Sequence, residues 1–379
     1  MTIPQTLEGK TIILAVTGSI AAVETVKCAH ALRRRGAVVQ AVLSEAAAGI
    51  ISPEALTYAT GRPAITRCTG LVEHVVYCGE GGEADLLLIA PCTANTIGKI
   101  ACGIDDTAVT TFATTALGRG MPVVLVPAMH ESMYRHPAVA GNLERLKNWG
   151  IDIVDPRIEE GKAKIAETDR IVLAAERALS GKPLAGRKVL ITSGACAEPV
   201  DDVRVLTTRS TGMMGRALAR EAYRLGAEVT VVHSGSAPAV RNIPVSTAAE
   251  MREAVLRQCH EEGVDIYISA AAISDYAPER REGKIPSGEA QNIRLNPLPK
   301  LLDAVIRACR PVTVAFKLGW DAEEQAAAML GKGAAMVVAN TPPAMGAAEG
   351  SFVLVTKDGR EPVTGSKEEV AAAIWARLR

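Results

Sequence analysis

Short, nearly unbroken runs of Val, Ile, Leu and Ala, each closed by Gly, Ser or Pro, constrain this chain most. In the first half they read TIILAVTG (11–18), VVQAVLS (38–44), ADLLLIAP (84–91) and MPVVLVPA (121–128), with helix-like stretches such as 20–35 and 95–104 between them. A strand that is apolar on both faces must be covered on both, and strands alternating with helices build βαβ units around a parallel, doubly wound sheet. Aromatic residues make up only 3% of the chain, so the cores must be aliphatic.

The rhythm restarts after GKPLAGRK (181–188), a polar stretch that follows a helical segment ending near Leu179. It continues with KVLITSG (188–194), EVTVVHSG (228–235), VDIYISAAA (264–272), PVTVAFK (311–317) and AAMVVAN (334–340). At 379 residues the chain is too long for one ordinary core, so each half is expected to be its own Rossmann-like α/β domain. The 42 basic and 42 acidic side chains cancel, which argues against a nucleic-acid partner. No apolar stretch reaches the roughly 20 residues a membrane span needs. The opening MTIPQTLEGK lacks the regions of a signal peptide, so a cytoplasmic protein is expected. Eight cysteines without C-x-x-C or Cys/His metal spacing read as reduced thiols.

Several strand ends carry polar residues. Thr17-Gly18-Ser19-Ile20 leads from a strand straight into a helix, where backbone N–H groups and a hydroxyl suit a phosphate. Without G-x-G-x-x-G it fits a mononucleotide better than a dinucleotide, and it fits a plain strand-to-helix turn equally well. Pro91-Cys92-Thr93-Ala94-Asn95-Thr96 offers a ligand crevice or a simple helix cap. His74, flanked by Val72 and Val75-Val76 in a strand-like run, suits acid–base work or one structural hydrogen bond. In the second half, the turn 204–215 (RVLTTRSTGMMG) can bind an anion at a helix start. Asp275 beyond the AAAIS segment can hold Mg²⁺ or a ribose hydroxyl, and Lys284 in Gly-Lys-Ile-Pro can neutralise phosphate charge.

Taken in order, VTGSIAA, SEAA (44–47), His74, PCTANT, VPAMHESMY, EPVDDVR, the TRSTG turn, AAAISDY and GKI resemble the bifunctional flavoproteins of coenzyme A biosynthesis along nearly the whole chain. In these, phosphopantothenoylcysteine decarboxylase is fused to phosphopantothenate–cysteine ligase. The resemblance implies a flavodoxin-like, FMN-dependent decarboxylase domain over 1–182 and a ligase domain over 187–379. It implies FMN contacts at Gly18, Ser19, Ile20, Ser44, Pro91, Thr93, Ala94, Asn95 and Thr114, with His74 catalytic and Met129 and His130 on the substrate. The flavin supplies the electron sink that a cysteinyl carboxylate needs in order to leave as CO₂.

In the ligase half it implies activation of 4′-phosphopantothenate by CTP and Mg²⁺ as an acyl-cytidylate, which cysteine attacks. Nucleotide contacts fall on Ser269, Ala270, Ala271, Asp275, Lys284, Phe316 and Lys332, with Asp275 toward the metal and Arg204 and Thr208 toward substrate or intermediate. Homo-oligomers built from trimers and dimers, up to a dodecamer, are implied as well. The sequence departs from the family pattern in four places. His130 replaces the Asn of P-x-M-N, the segment 159–170 lacks the flap cysteine, Thr208 replaces an Asn, and Ala328 replaces a lysine. These departures resemble an archaeal-type variant. A flavin decarboxylase with a degenerate ligase half and a non-catalytic regulatory flavoprotein remain the two other readings.

Overall fold

The structure is a computed structural model that describes residues 4–237, 239–288 and 290–378. The chain divides into two compact units, Thr2–Lys182 and Pro183–Arg379.

In the first unit the apolar runs become strands β1 (Thr11–Val16), β2 (Val38–Leu43), β3 (Leu86–Cys92) and β4 (Val123–Pro127), followed by the short β5 (Met129–His130), β6 (Asp152–Ile153), β7 (Arg157–Glu159) and β8 (Lys162–Lys164). The helices are α1 (Thr25–Arg34), α2 (Glu45–Ala48), α3 (Pro53–Thr60), α4 (Glu73–Cys78), α5 (Ala94–Ala101), α6 (Ala108–Arg119), α7 (Glu131–Tyr134), α8 (Pro137–Asn148) and α9 (Thr168–Leu179). The five-stranded sheet runs β2-β1-β3-β4-β6, with parallel pairing throughout. This is the flavodoxin-like order, whose crevice opens where the strand order reverses, between β1 and β3. Alternate residues of each strand feed two cores, one on each face: Ile12, Leu14 and Val16 with α1 and α9, and Ile13 and Ala15 with α6 and α8. Fully buried strands explain the unbroken apolar runs.

The second unit contains β9 (Lys188–Ser193), β10 (Ala197–Pro199), β11 (Val205–Thr207), β12 (Glu228–His233), β13 (Arg241–Pro244), β14 (Ile266–Ser269), β15 (Tyr276–Pro278), β16 (Leu295–Pro297), β17 (Val312–Leu318), β18 (Met336–Asn340), β19 (Glu349–Thr356) and β20 (Gly359–Ser366). Its helices are α10 (Met213–Arg224), α11 (Ala248–Glu261), α12 (Leu301–Cys309), α13 (Ala322–Gly331) and α14 (Lys367–Ala376). The eight-stranded sheet runs β13-β12-β9-β14-β17-β18-β19-β20. Its first six strands have the Rossmann order, with the switch point between β9 and β14. The sheet is not parallel to its end: β19 pairs antiparallel with β18 and β20. This hairpin is absent from the expected strands because its outer strand, GREPVTGS, has no apolar run to mark it.

Candidate functional site

Three loops meet at the carboxyl ends of β1, β2 and β3. The Thr17 hydroxyl donates to the Pro91 carbonyl at 2.8 Å and accepts from the Thr93 N–H at 3.0 Å, which locks the first loop to the third. Gly18 lies so close to α2 that a Cβ there would stand 2.5 Å from the Ala46 Cβ. Only glycine lets the loop after β1 approach the loop after β2. Ser19, Ser44 and Thr93 are N-caps whose hydroxyls accept from Ala21, Ala47 and Thr96 N–H groups. Ala94 and Asn95 open α5, Ile20 is exposed, and Thr114 is an exposed residue on α6. The hydroxyls and free first-turn N–H groups fit the phosphate of a mononucleotide.

His74 is not on a strand. It sits in the first turn of α4, a six-residue helix. β3 is paired on both sides and the outer flank of β2 is bridged by Ile65, so neither of these strands takes the Val-rich segment 72–76 as a neighbour. The entry is strained, since the β-branched Val72 has φ 48°. It is held by Glu73, whose carboxylate accepts from the Thr69 N–H (2.8 Å) and hydroxyl (2.5 Å). Those hydrogen bonds keep the half-buried Glu73 carboxyl below its ordinary pKa. The His74 Nδ1 is buried and, among the described residues, has no hydrogen-bond partner. Buried polar atoms are ordinarily hydrogen-bonded, so the open ring nitrogen sets His74 apart from the other histidines described.

Beside these loops lies a cavity of about 730 Å³ between the segment 19–28 and the hairpin β7–β8. β8 pairs antiparallel with β5, opposing Met129 to Ala163 and His130 to Lys162. Of the sequence-selected residues, Ser19, Ile20, Met129 and His130 line this cavity; the others stand outside it. The His130 Nδ1 accepts from the Ser132 N–H at 3.3 Å, so a neutral ring carries its proton on Nε2. Lining residues that sequence reasoning missed include Lys27, Cys28, Arg157, Lys162 and Lys164. The hairpin lacks an apolar run, and Cys28 is one unremarkable thiol in an amphipathic helix. Burial pushes the Cys28 pKa up to about 12.

In the second unit a cavity of about 380 Å³ opens at the switch point. Ser193 ends β9, and its Oγ donates to the Gly212 carbonyl at 3.2 Å. A Cβ on Gly215 would lie 2.2 Å from that Oγ and 2.4 Å from the Ser193 Cβ. The close approach seats the turn 208–215 and the positive end of α10 directly over the strand ends. Facing it are Ala270–Ile273 and Asp275 after β14, Phe316–Leu318 of β17, Asn340, and Lys367 of α14. Ala270 and Ala272 N–H groups donate to the carbonyls of Thr192 and Gly194, and the Thr208 hydroxyl donates to the Ala272 carbonyl at 3.3 Å. Thr208, Ala270, Ala271, Asp275 and Phe316 therefore converge on one crevice. Ser210, Gly212, Gly215, Asn340 and Lys367 belong to it as well. The polar run 204–215 pointed to the glycines, whereas Lys367 had no local signal.

Ser269 ends β14 outside the lining, and Lys332 caps α13, where it pairs with Asp303 at 3.2 Å. Lys284 stands exposed on the loop 280–285, also outside the lining, in a loop strapped to the turn before β11. Asp201 accepts from the Ile285 (3.0 Å), Val203 (2.8 Å) and Arg204 (2.6 Å) N–H groups and pairs with the Arg204 side chain. These bonds, led by that from Ile285, hold its carboxyl well below the usual carboxylate range despite burial. Arg204 also donates to the Ile285 carbonyl at 3.3 Å, and Asp202 accepts from the Gly283 N–H at 3.0 Å. Gly283 and Ile285, on either side of Lys284, thus tie its loop to Asp202, Asp201 and Arg204. Asp275 pairs with Lys300, and no group of three or more His, Cys, Asp or Glu among the described residues can hold a metal. The donor set does not fit a protein-held Mg²⁺.

Residues 2–180 match the Flavoprotein family model, and residues 184–379 match that of the DNA/pantothenate metabolism flavoprotein C-terminal domain. Two α/β units with a crevice at each switch point thus form a two-domain flavoprotein of pantothenate metabolism. The chain is 45% identical to the coenzyme A biosynthesis bifunctional protein CoaBC of Thermococcus kodakarensis, over 98% of this chain and 95% of that one. It is 36% identical to the CoaBC protein of Methanocaldococcus jannaschii, over 98% and 94%. A crystal structure of the C-terminal domain of a CoaBC protein aligns at 30% identity with TM-score 0.43, covering 52% of this chain and 96% of that one. The chain belongs to the CoaBC family of bifunctional coenzyme A biosynthesis proteins. Among the described residues, no helix is long and apolar enough to cross a membrane.

Proposed function

We propose that the second unit joins cysteine to 4′-phosphopantothenate through an acyl-cytidylate made from CTP, and that the first decarboxylates the product to 4′-phosphopantetheine with FMN. The observation that carries this is the convergence of Thr208, Ala270, Ala271, Asp275 and Phe316 on one switch-point cavity, in a chain that shares its family across nearly its whole length.

In the first unit, Gly18, Ser19, Ser44, Pro91, Thr93, Ala94 and Asn95 hold the FMN phosphate end, with Ile20 and Thr114 as further contacts. Bound FMN supplies the reversible hydride sink without which the carboxylate has no route to CO₂. His74 supplies the open ring nitrogen for proton handling, and Met129 and His130 orient the substrate where β5 meets the β7–β8 hairpin. In the second unit the α10 N-terminus and the crevice hold the nucleotide, with Ser269 and Lys332 as outer contacts. Lys284 offsets charge at the phosphoryl centre, and Arg204, fixed by Asp201, holds substrate. Mg²⁺ arrives on the triphosphate, which suits a site with Asp275 as its one lining carboxylate. A cytoplasmic homo-oligomer assembled from trimers and dimers completes the reading.

The test is mass spectrometry on the purified full chain given 4′-phosphopantothenate, cysteine, CTP and Mg²⁺, with its visible spectrum recorded. A yellow protein forming 4′-phosphopantetheine is expected. Accumulation of phosphopantothenoylcysteine would remove the decarboxylase half of the proposal. Thr208 and Ala328 favour a second reading, a decarboxylase with a degenerate ligase, and CTP-dependent pyrophosphate release would count against it.

A further inference from the structure

Helix α14 begins with a lysine where helix electrostatics disfavours one. Lys367 is its first residue, at the positive end of the macrodipole, directly after the N-cap Ser366. The capping box is completed without it: the Ser366 hydroxyl accepts from the Glu369 N–H, and the Glu369 carboxylate accepts from the Ser366 N–H at 2.7 Å. Among the described residues no carboxylate pairs with Lys367. Its ammonium instead lies 4.5 Å from the centroid of the Phe352 ring and donates to the Ala344 carbonyl at 3.0 Å. Burial lowers its pKa, and among the described residues the direct contacts of the ammonium are this ring face and this carbonyl, with Glu368 and Glu369 following in the same turn.

The location gives this arrangement a use. Lys367, Phe352 and Ala344 line the same cavity as Ser210–Gly215, so the ammonium and the first turn of α10 share one space. α14 is fixed against α10 by Trp375, fully buried, whose indole N–H donates to the Leu218 carbonyl at 3.0 Å. The lysine is therefore placed by two packed helices rather than by a free surface chain. A cavity bounded by a half-buried ammonium and an uncapped helix N-terminus lacks one component, an anion.

We propose that Lys367 is a positioning residue for the nucleotide of the second unit, its ammonium contacting a phosphoryl oxygen held at the α10 N-terminus. This rests on the nucleotide reading of that cavity. Stacking on Phe352 and the bond to Ala344 aim the ammonium before ligand arrives, so little side-chain entropy is lost on binding.

The test is calorimetric titration of the full chain with CTP in Mg²⁺ and with cytidine, comparing wild type, Lys367→Met and Lys367→Arg, with a thermal melt of each. Methionine keeps the apolar contact with Phe352 and removes the charge. Loss of a charge-assisted hydrogen bond should weaken CTP about tenfold or more while leaving cytidine within about twofold, and arginine should restore most of the CTP affinity. Equal loss for CTP and cytidine, or a Tm drop accompanying loss of both, would assign Lys367 a structural role and overturn the proposal. CTP affinity unchanged in Lys367→Met would overturn it while sparing the nucleotide reading. Wild-type protein that binds neither ligand would overturn both.

Discussion

Replacing Gly215 with alanine adds one methyl group at the closest approach of α10 to β9. That carbon would sit 2.2 Å from the Ser193 Oγ, 2.4 Å from its Cβ and 3.2 Å from its Cα. Carbon pairs are at their optimum near about 3.5–4.0 Å. Turning the Ser193 hydroxyl aside relieves the first contact but not the second, so the helix must withdraw by roughly 1 Å. Overpacking of this kind costs about 1–3 kcal/mol, and the better helix propensity of alanine returns about 1 kcal/mol. The net loss of stability is therefore small, on the order of 0–2 kcal/mol, or a few degrees in the melting temperature of the second unit. The functional loss should be larger, because a displacement of about 1 Å in a positioning element can cost roughly a hundredfold in rate. The assay compares CTP-dependent ligation with decarboxylation of supplied phosphopantothenoylcysteine in the full chain. Ligation should fall by about 10²-fold with decarboxylation unchanged. Gly141→Ala, in α8 with no atom within 4 Å of the added carbon, is the control and should be silent. Ligation by Gly215→Ala at the wild-type rate would refute the claim that this contact seats the nucleotide end of α10.

His74→Ala should stop decarboxylation and leave ligation intact, checked by accumulation of phosphopantothenoylcysteine; loss of both activities in a folded variant would refute the separation. Lys284→Gln should abolish pyrophosphate release with CTP while the flavin spectrum stays that of the wild type. In native protein, alkylation followed by peptide mass mapping should label the exposed Cys102 first. Cys28 and Cys78, both pushed up to about 12 by burial, should stay unmodified at pH 8 and react only on unfolding.

Much of the fold was legible because a strand buried on both faces leaves a nearly continuous aliphatic run. TIILAVTG, ADLLLIAP and KVLITSG map onto β1, β3 and β9 within two residues or so. The polar strand ends were legible for the same reason, as interruptions in those runs. His74 was misplaced because local β-branched composition says strand, whereas a strand also needs a pairing partner, and this segment instead forms the short helix α4. The β19–β20 hairpin escaped because GREPVTGS carries half-buried, mixed residues rather than a core stripe.

By itself the sequence determined the two α/β units and the turns at their strand ends, since periodicity and capping act over a few residues. Tertiary structure alone decided which of those turns share a cavity. Thr208, Ala271 and Phe316 meet across the β9/β14 switch point, while Lys332 is drawn off to Asp303 and the loop of Lys284 is tied through Ile285 to Asp201 and Arg204. It also brought Lys367 to the nucleotide cavity through packing of α14 on α10. Such meetings join segments from 29 to 157 residues apart in the chain, and no local pattern encodes them.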